Sequence, residues 1–170
     1  MKLKYLKPDD YHIYVDLDGV LANLHDYIEK VIGEPVRTGP NGSDWLDSDR
    51  IWKKLRQLDE PDFSQLELLP DAMTLWDYVK PHKPNILTAT GHPAERNDKQ
   101  KREWVERHLT GYDKVYTVVA SRKKAKFAWP DAVLIDDRMK SIGPWREKGG
   151  IGILHKNAED SIRQLKELGL

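Results

Sequence analysis

The chain has 170 residues, with 28 Lys+Arg against 28 Asp+Glu, no cysteine, 33% charged and 39% hydrophobic residues. That length suits one domain, which at roughly 150 residues buries about two-thirds of its unfolded surface without disulfides or structural metal. The lack of cysteine excludes thiolate metal sites and cysteine nucleophiles. A net charge of zero argues against holding a nucleic-acid duplex by bulk electrostatics. No run approaches the about 18 apolar residues of a membrane span, and the opening MKLKYLKPDDYH has no signal-peptide core. The expectation is a soluble, cytoplasmic, single-domain protein.

Apolar runs alternate with helical patterns. His12–Asp16 reads as a strand, and Leu24, Tyr27, Ile28, Val31 and Ile32 repeat at helical spacing. From Gly33 to about Asp62, Gly, Pro, Asn and charges interleave with Trp45, Ile51, Trp52 and Leu55, the pattern of an irregular, partly helical insertion. Ala72, Leu75, Trp76 and Val79 mark one face of a helix. Pro84–Thr88 reads as a strand, Trp104–Leu109 as part of a helix, Lys114–Val119 as a third strand, and Ala132–Ile135 as a fourth, buried one. Met139–Lys148 reads as a helix that Gly143-Pro144 should break or restart. Gly150–Leu154 is a fifth strand, and Asn157 an N-cap for a final helix through Ile162, Leu165 and Leu168. This alternation predicts an α/β fold with a parallel sheet of about five strands. In such sheets the chemistry sits beyond the carboxyl ends of the strands.

Those ends carry a charged set. The first strand runs into Asp16-Leu17-Asp18-Gly19-Val20, the second into Thr88-Ala89-Thr90-Gly91, the fourth into Asp136-Asp137-Arg138, and Arg122–Lys126 is a basic stretch before the fourth. Charged groups of this kind do not belong in a core unpaired, and a divalent cation would resolve the crowding of acids. Oxygen-only ligands select a hard ion, Mg²⁺ beside a phosphate. Asp16 and Asp18, two residues apart, could both reach one reacting centre: one carboxylate attacks phosphorus, the other protonates the leaving oxygen. Gly19 would let backbone approach the phosphate. Thr88 and Lys126 could hold its non-bridging oxygens, with Thr90 and Lys124 as the competing hydroxyl and ammonium. Asp137, with Asp136 beside it, completes the metal site. A calcium loop also begins D-x-D, but its required Gly and Glu positions hold Leu21 and Tyr27.

DLDGV, the strand-terminal ILT, Lys126 and the LIDD pair, in that order, resemble the four motifs of the haloacid dehalogenase (HAD) superfamily of phosphohydrolases. DLDGVLA, FSQLELLPDA, KREWVERH and IDDR ten residues after Lys126 are similar to the 5'(3')-deoxyribonucleotidase family. The resemblance covers about residues 12 to 145. It implies a three-layer HAD-like fold, with residues 1–21 and 66–170 as the core domain and 22–65 as a small helical cap. It also implies Asp16 as nucleophile, Asp18 as general acid/base, and Thr88 and Lys126 as phosphate-binding groups. Mg²⁺ would be held by Asp16, the Asp18 carbonyl and Asp137, with Asp136 in support. The substrate implied is a (deoxy)nucleoside monophosphate; a polynucleotide 3'-end or a sugar phosphate would suit the same chemistry. A HAD-fold binding protein without turnover would be expected to lose Asp16, Asp18 or Lys126, and this chain keeps all three. Two departures concern substrate choice: Ala89 stands where a second hydroxyl or polar group is usual, and Leu24 where an aromatic residue packs near the base.

Six tryptophans are many for this length. Trp76 and Trp104 lie on apolar helix faces, Trp129 and Trp145 flank the fourth strand and read as packing residues, and Trp52 suits a small core of the cap. Trp45 and Phe63 are the candidates for stacking a nucleobase. His92 follows the second motif as a loop residue within reach of substrate, and Arg138 would pair with an acid of the site or with substrate. GGIGIL imitates a dinucleotide loop but lacks the third glycine and enters a strand, so it is rejected.

Overall fold

The computed structural model describes residues 6–40 and 44–170. Its sheet has five strands, all parallel, in the order β3-β2-β1-β4-β5, formed by β1 (His12–Val15), β2 (Asn85–Ala89), β3 (Val115–Val118), β4 (Ala132–Asp136) and β5 (Ile151–Leu154). The helices are α1 (Leu24–Ile32), α2 (Ser48–Gln57), α3 (Ala72–Val79), α4 (Ala94–His108), α5 (Met139–Glu147) and α6 (Ala158–Glu167).

The pleat sorts the strand residues onto two faces. Ile13, Val15, Ile86, Val133, Ile135 and Ile153 share one apolar cluster with Leu75 and Trp76 of α3, Trp104 and Val105 of α4, and Leu165 of α6. Tyr14, Leu87, Val118 and Leu134 pack instead with Ile142 and Trp145 of α5 and with Phe127, which ends a 3₁₀ helix over Ser121–Phe127. This is the three-layer α/β arrangement read from the alternation of elements. The insertion adds Ile28, Ile32, Val36, Ile51 and Leu55 to the first cluster, so its apolar side chains are continuous with that side of the sheet.

Local chemistry explains most element ends. Asn23 caps α1 by accepting from the Asp26 amide, Gly33 closes it at φ 72°, and Asn157 caps α6 by accepting from the Asp160 amide. Within the insertion, the expected helical part is α2, a ten-residue helix. Its charged exposed side hides the short apolar pair Ile51 and Leu55. Contrary to expectation, α5 runs through Gly143-Pro144 unbroken. A proline is hard on the Cβ of the residue before it, and Gly143 has none, so one of the costs of a proline inside a helix is removed. Trp129 is 67% exposed and packs nothing in, whereas Trp145 is fully buried. Of the glycines in GGIGIL, Gly150 serves that residue: a Cβ there would stand 2.3 Å from Trp145 Nε1.

Trp104 ties α4 to the segment entering α3. It is 1% exposed, and its Nε1 donates to the Leu66 carbonyl at 2.8 Å. Trp104→Phe keeps most of the ring but orphans that carbonyl. It should cost about 2 kcal/mol, seen as a lower urea midpoint with unchanged slope.

Candidate active site

The register of the sheet brings the acids together. Val15 lies opposite Ile135 in the β1–β4 pairing, so the next residues along, Asp16 and Asp136, end adjacent strands side by side. The chain then leaves β1 in a tight turn wound on one carbonyl, with the amides of Val20, Leu21 and Ala22 all donating to Leu17 O at 2.8–3.1 Å. Leu17, Val20, Leu21 and Ala22 are buried and anchor the turn, which leaves Asp16 and Asp18 lining a cavity of about 860 Å³. Gly19 has φ +80°, and a Cβ there would stand 2.0 Å from Asp137 Oδ2. The bare glycine therefore makes room for a carboxylate of the site, and it lines the cavity beside it.

Asp16, Asp136 and Asp137 each offer an oxygen within 4.8 Å of the others. Between two of them sits the ammonium of Lys124, 2.8 Å from Asp16 Oδ1 and 2.6 Å from Asp136 Oδ2, on a side chain 2% exposed. Asp136 is wholly buried and spends its other oxygen on the Arg138 amide at 2.9 Å. It is thus the anchor of Lys124, while Asp137 and Asp16 face the cavity.

Here the reading of the basic stretch is corrected. Lys126 is exposed, its ammonium 5.1 Å from the Phe127 ring centroid, and it does not line the cavity. In the tight 3₁₀ turn Lys124 and Lys126 point in different directions, and Lys124 is the one that faces the sheet edge. Thr88 is corrected as well. It is fully buried, lies on the Ile86 side of β2 and is not part of the cavity wall; its hydroxyl meets Lys101 at 3.3 Å. Ala89, Thr90 and Gly91 line the cavity in its place, with the Thr90 hydroxyl donating to the Gly91 carbonyl.

Lys101 was not identified from sequence. Reaching in from α4, it is 1% exposed, and its ammonium lies 2.5 Å from Asp18 Oδ2 and 4.2 Å over the Phe63 ring. Within KQKREWVERH it looks like one more surface charge. Only the inward-facing Asn97, Trp104 and Val105 of the same helix hint at its side. Phe63 in turn is 3% exposed, with the ammonium against its ring, and it contributes to the cavity lining.

The outer wall is aromatic and basic. Trp45 stacks on Trp52 with ring centroids 5.6 Å apart and 21° between planes, His25 meets its edge, and Arg138 lies 5.7 Å over its ring. His92 is exposed at the mouth, where Arg56, Arg96 and Lys156 also contribute.

Burial holds the Asp16 carboxyl up at about 7, with Asp136 and Asp18 adding to the rise and Lys124 opposing it. Burial, then Asp136 and Asp16, push Asp137 well above the usual carboxylate range. Burial works against the charge of Lys124, but Asp136 and Asp16 outweigh it and the ammonium is held above its ordinary value. Three acids around one ammonium leave unbalanced negative charge in a dry site. Oxygen donors so arranged fit a hard divalent cation, which would bind against protons.

No protein-family model and no curated protein matches the sequence. Solved structures with similar folds are HAD hydrolases and haloacid dehalogenases. A HAD-superfamily hydrolase from Ehrlichia chaffeensis aligns with TM-score 0.52 and 13% identity, over 97% of this chain and 100% of that one. L-2-haloacid dehalogenase from Xanthobacter autotrophicus with chloropropionic acid covalently bound aligns with TM-score 0.54 and 15% identity, over 92% and 82%. A HAD family enzyme from Bacteroides thetaiotaomicron, solved with magnesium and inorganic phosphate, gives 0.50 and 14% over 86% and 94%. The chain therefore has the HAD fold, with its acids at the sheet edge where that fold's strands end. No helix among the described residues is long and apolar enough to cross a membrane.

Because the raised carboxyl of Asp16 prefers its proton in the folded state, the group destabilises the fold progressively as pH rises from about 4, its unfolded value, to about 7. Asparagine carries no such penalty. In chelator, Asp16→Asn should melt higher than the parent, with the gap widening from pH 4 to 7 and flat above. Excess Mg²⁺ should narrow the gap by stabilising the parent alone, as read by differential scanning fluorimetry.

Proposed function

We propose that this protein is a Mg²⁺-dependent phosphomonoesterase that acts through a phosphorylated aspartate, with a (deoxy)nucleoside monophosphate as its substrate. The observation that carries the reading is the joint presence in one cavity of Asp16, Asp18, Asp137 and the Lys124 ammonium. In this reading Asp16 attacks phosphorus and Asp18 gives its proton to the departing ester oxygen. Asp18 then takes a proton from the water that hydrolyses phospho-Asp16. Lys124, not Lys126, faces the phosphoryl oxygens and offsets their charge. Mg²⁺, held by Asp16, the Asp18 carbonyl and Asp137, would supply charge neutralisation at phosphorus. Asp136 acts by holding Lys124.

Dehalogenation, the activity named for some neighbours of similar fold, needs neither a proton donor for a halide nor an acid trio for a cation. Asp18 and the trio favour phosphate for that reason. The cavity is far larger than a phosphate, and the Trp45–Trp52 pair lines it, which supports a planar group on the substrate. The basic mouth of Arg56, Arg96 and Lys156 favours as second reading the 3'-phosphorylated end of a single-stranded oligonucleotide. In this frame residues 22–65 act as a cap over the site.

A phosphate-release screen tests this. Nucleoside 5'- and 3'-monophosphates, sugar phosphates, a 3'-phosphorylated oligonucleotide and 2-chloropropionate should be compared with and without Mg²⁺. Mononucleotides should lead, chelator should abolish turnover, and chloride should not be released; preferred turnover of the oligonucleotide would select the second reading. Asp16→Asn should eliminate phosphate release with the fold retained. Lys124→Met should lose at least about 100-fold in kcat/KM, as expected for removing one charge-stabilising donor. Lys126→Met should stay within about twofold of the parent, since surface changes away from a site have small effects.

A further inference from the structure

We propose that Lys101 is the positioning residue of Asp18, fixing the carboxylate that serves as proton donor and acceptor; this rests on the phosphatase reading above. The two buried lysines come from opposite layers. Lys124 belongs to the 3₁₀ helix on the Tyr14 face and holds Asp16 and Asp136. Lys101 belongs to α4 on the other face and holds Asp18 and Thr88. A buried ammonium must have partners, and Lys101 meets three: Asp18 Oδ2 at 2.5 Å, Thr88 Oγ1 at 3.3 Å and the face of Phe63 at 4.2 Å.

The contact comes from behind. Asp18 lines the cavity and is 23% exposed, whereas Lys101 does not line it and is 2% exposed. Among the described residues, Lys101 is the only cation in ion-pair contact with Asp18. Asp18 sits on a turn, where its carboxylate would otherwise sample several rotamers. Thr88 is set by the β2–β3 ladder opposite Thr117. Lys101 therefore ties one oxygen of a turn carboxylate to a strand and leaves Oδ1 for the substrate. Thr88, too deep to meet a phosphate itself, supports that tie.

The role separates the two half-reactions. In the first, an Asp16 oxygen bonds to phosphorus, the ester P–O bond breaks, and the leaving oxygen takes the Asp18 proton. In the second, water bonds to phosphorus, its proton passes to Asp18, and the bond from phosphorus to Asp16 breaks to release phosphate. Nitrophenolate departs without a proton, so misplacing Asp18 should spare the first half-reaction for p-nitrophenyl phosphate and slow only the second.

The test compares Lys101→Met and Lys101→Arg with the parent on p-nitrophenyl phosphate and on ribose 5-phosphate, in Mg²⁺. Lys101→Met should lose at least about 100-fold in kcat/KM on ribose 5-phosphate, the lower end of a general acid's contribution, and under about tenfold on p-nitrophenyl phosphate. It should also show a burst of nitrophenolate before a slow steady state. Lys101→Arg should recover part of the loss. In an Asp18→Asn background, where the buried ammonium has lost its charged partner, Lys101→Met should cost nothing further. Equal losses on both substrates without a burst, or additive losses with Asp18→Asn, overturn the proposal. Should Lys101→Met not fold, Lys101→Arg and the neutral pair Asp18→Asn/Lys101→Met decide it on the same readouts. A parent that releases phosphate from neither substrate nor from any nucleotide of the screen above overturns the phosphatase reading and this proposal with it; an active parent beside an unimpaired Lys101→Met overturns this proposal alone.

Discussion

The ammonium of Lys124, held between Asp16 and Asp136, is the interaction on which the rest of the site depends. Parallel strands β1 and β4 end level with each other, so their terminal carboxylates are forced together at the buried centre of the sheet. Desolvation and mutual repulsion would make that pair untenable as two anions. One buried cation offsets part of the charge and fixes both side chains. Asp16 and Asp137, both facing the cavity with their carboxyls held up by burial, are the oxygens that a further cation would meet.

The sheet also explains why two lysines are needed. Its two faces are covered by different layers, and the turn after β1 spreads its acids toward both. Lys124 serves one side and Lys101 the other. Their partners differ in consequence: Lys124 borders the cavity and can meet an incoming anion, while Lys101 stays behind the wall and acts on Asp18. The insertion closes the remaining side with the Trp45–Trp52 pair. Its apolar residues join the core on the Ile13 face, which ties the aromatic wall to the same layer that carries Lys101.

Much of this was legible before folding. The five strands followed from β-branched and apolar runs, because a strand buried on both faces has to be apolar throughout. Asp16, Asp18, Asp136 and Asp137 stood out because two pairs of acids follow buried strands of one sheet, where unpaired charge is costly. The α2 helix was harder to see, as two buried residues in a charged ten-residue stretch make a weak pattern. Pro144 misled because a proline's cost depends partly on its predecessor, and Gly143 has no Cβ to meet the ring.

The side chains that complete the site were decided elsewhere. Sequence alone determined that carboxylates follow two of the strands directly, since strand periodicity is a local property. Which lysine meets them was settled only in three dimensions. The direction of a side chain on a 3₁₀ turn, or on a charged helix such as α4, depends on what packs against it. Lys126 therefore gave way to Lys124, and Lys101 came in from α4 against Phe63. Thr88 meets Lys101 and does not line the cavity, because the pleat turns it toward α4.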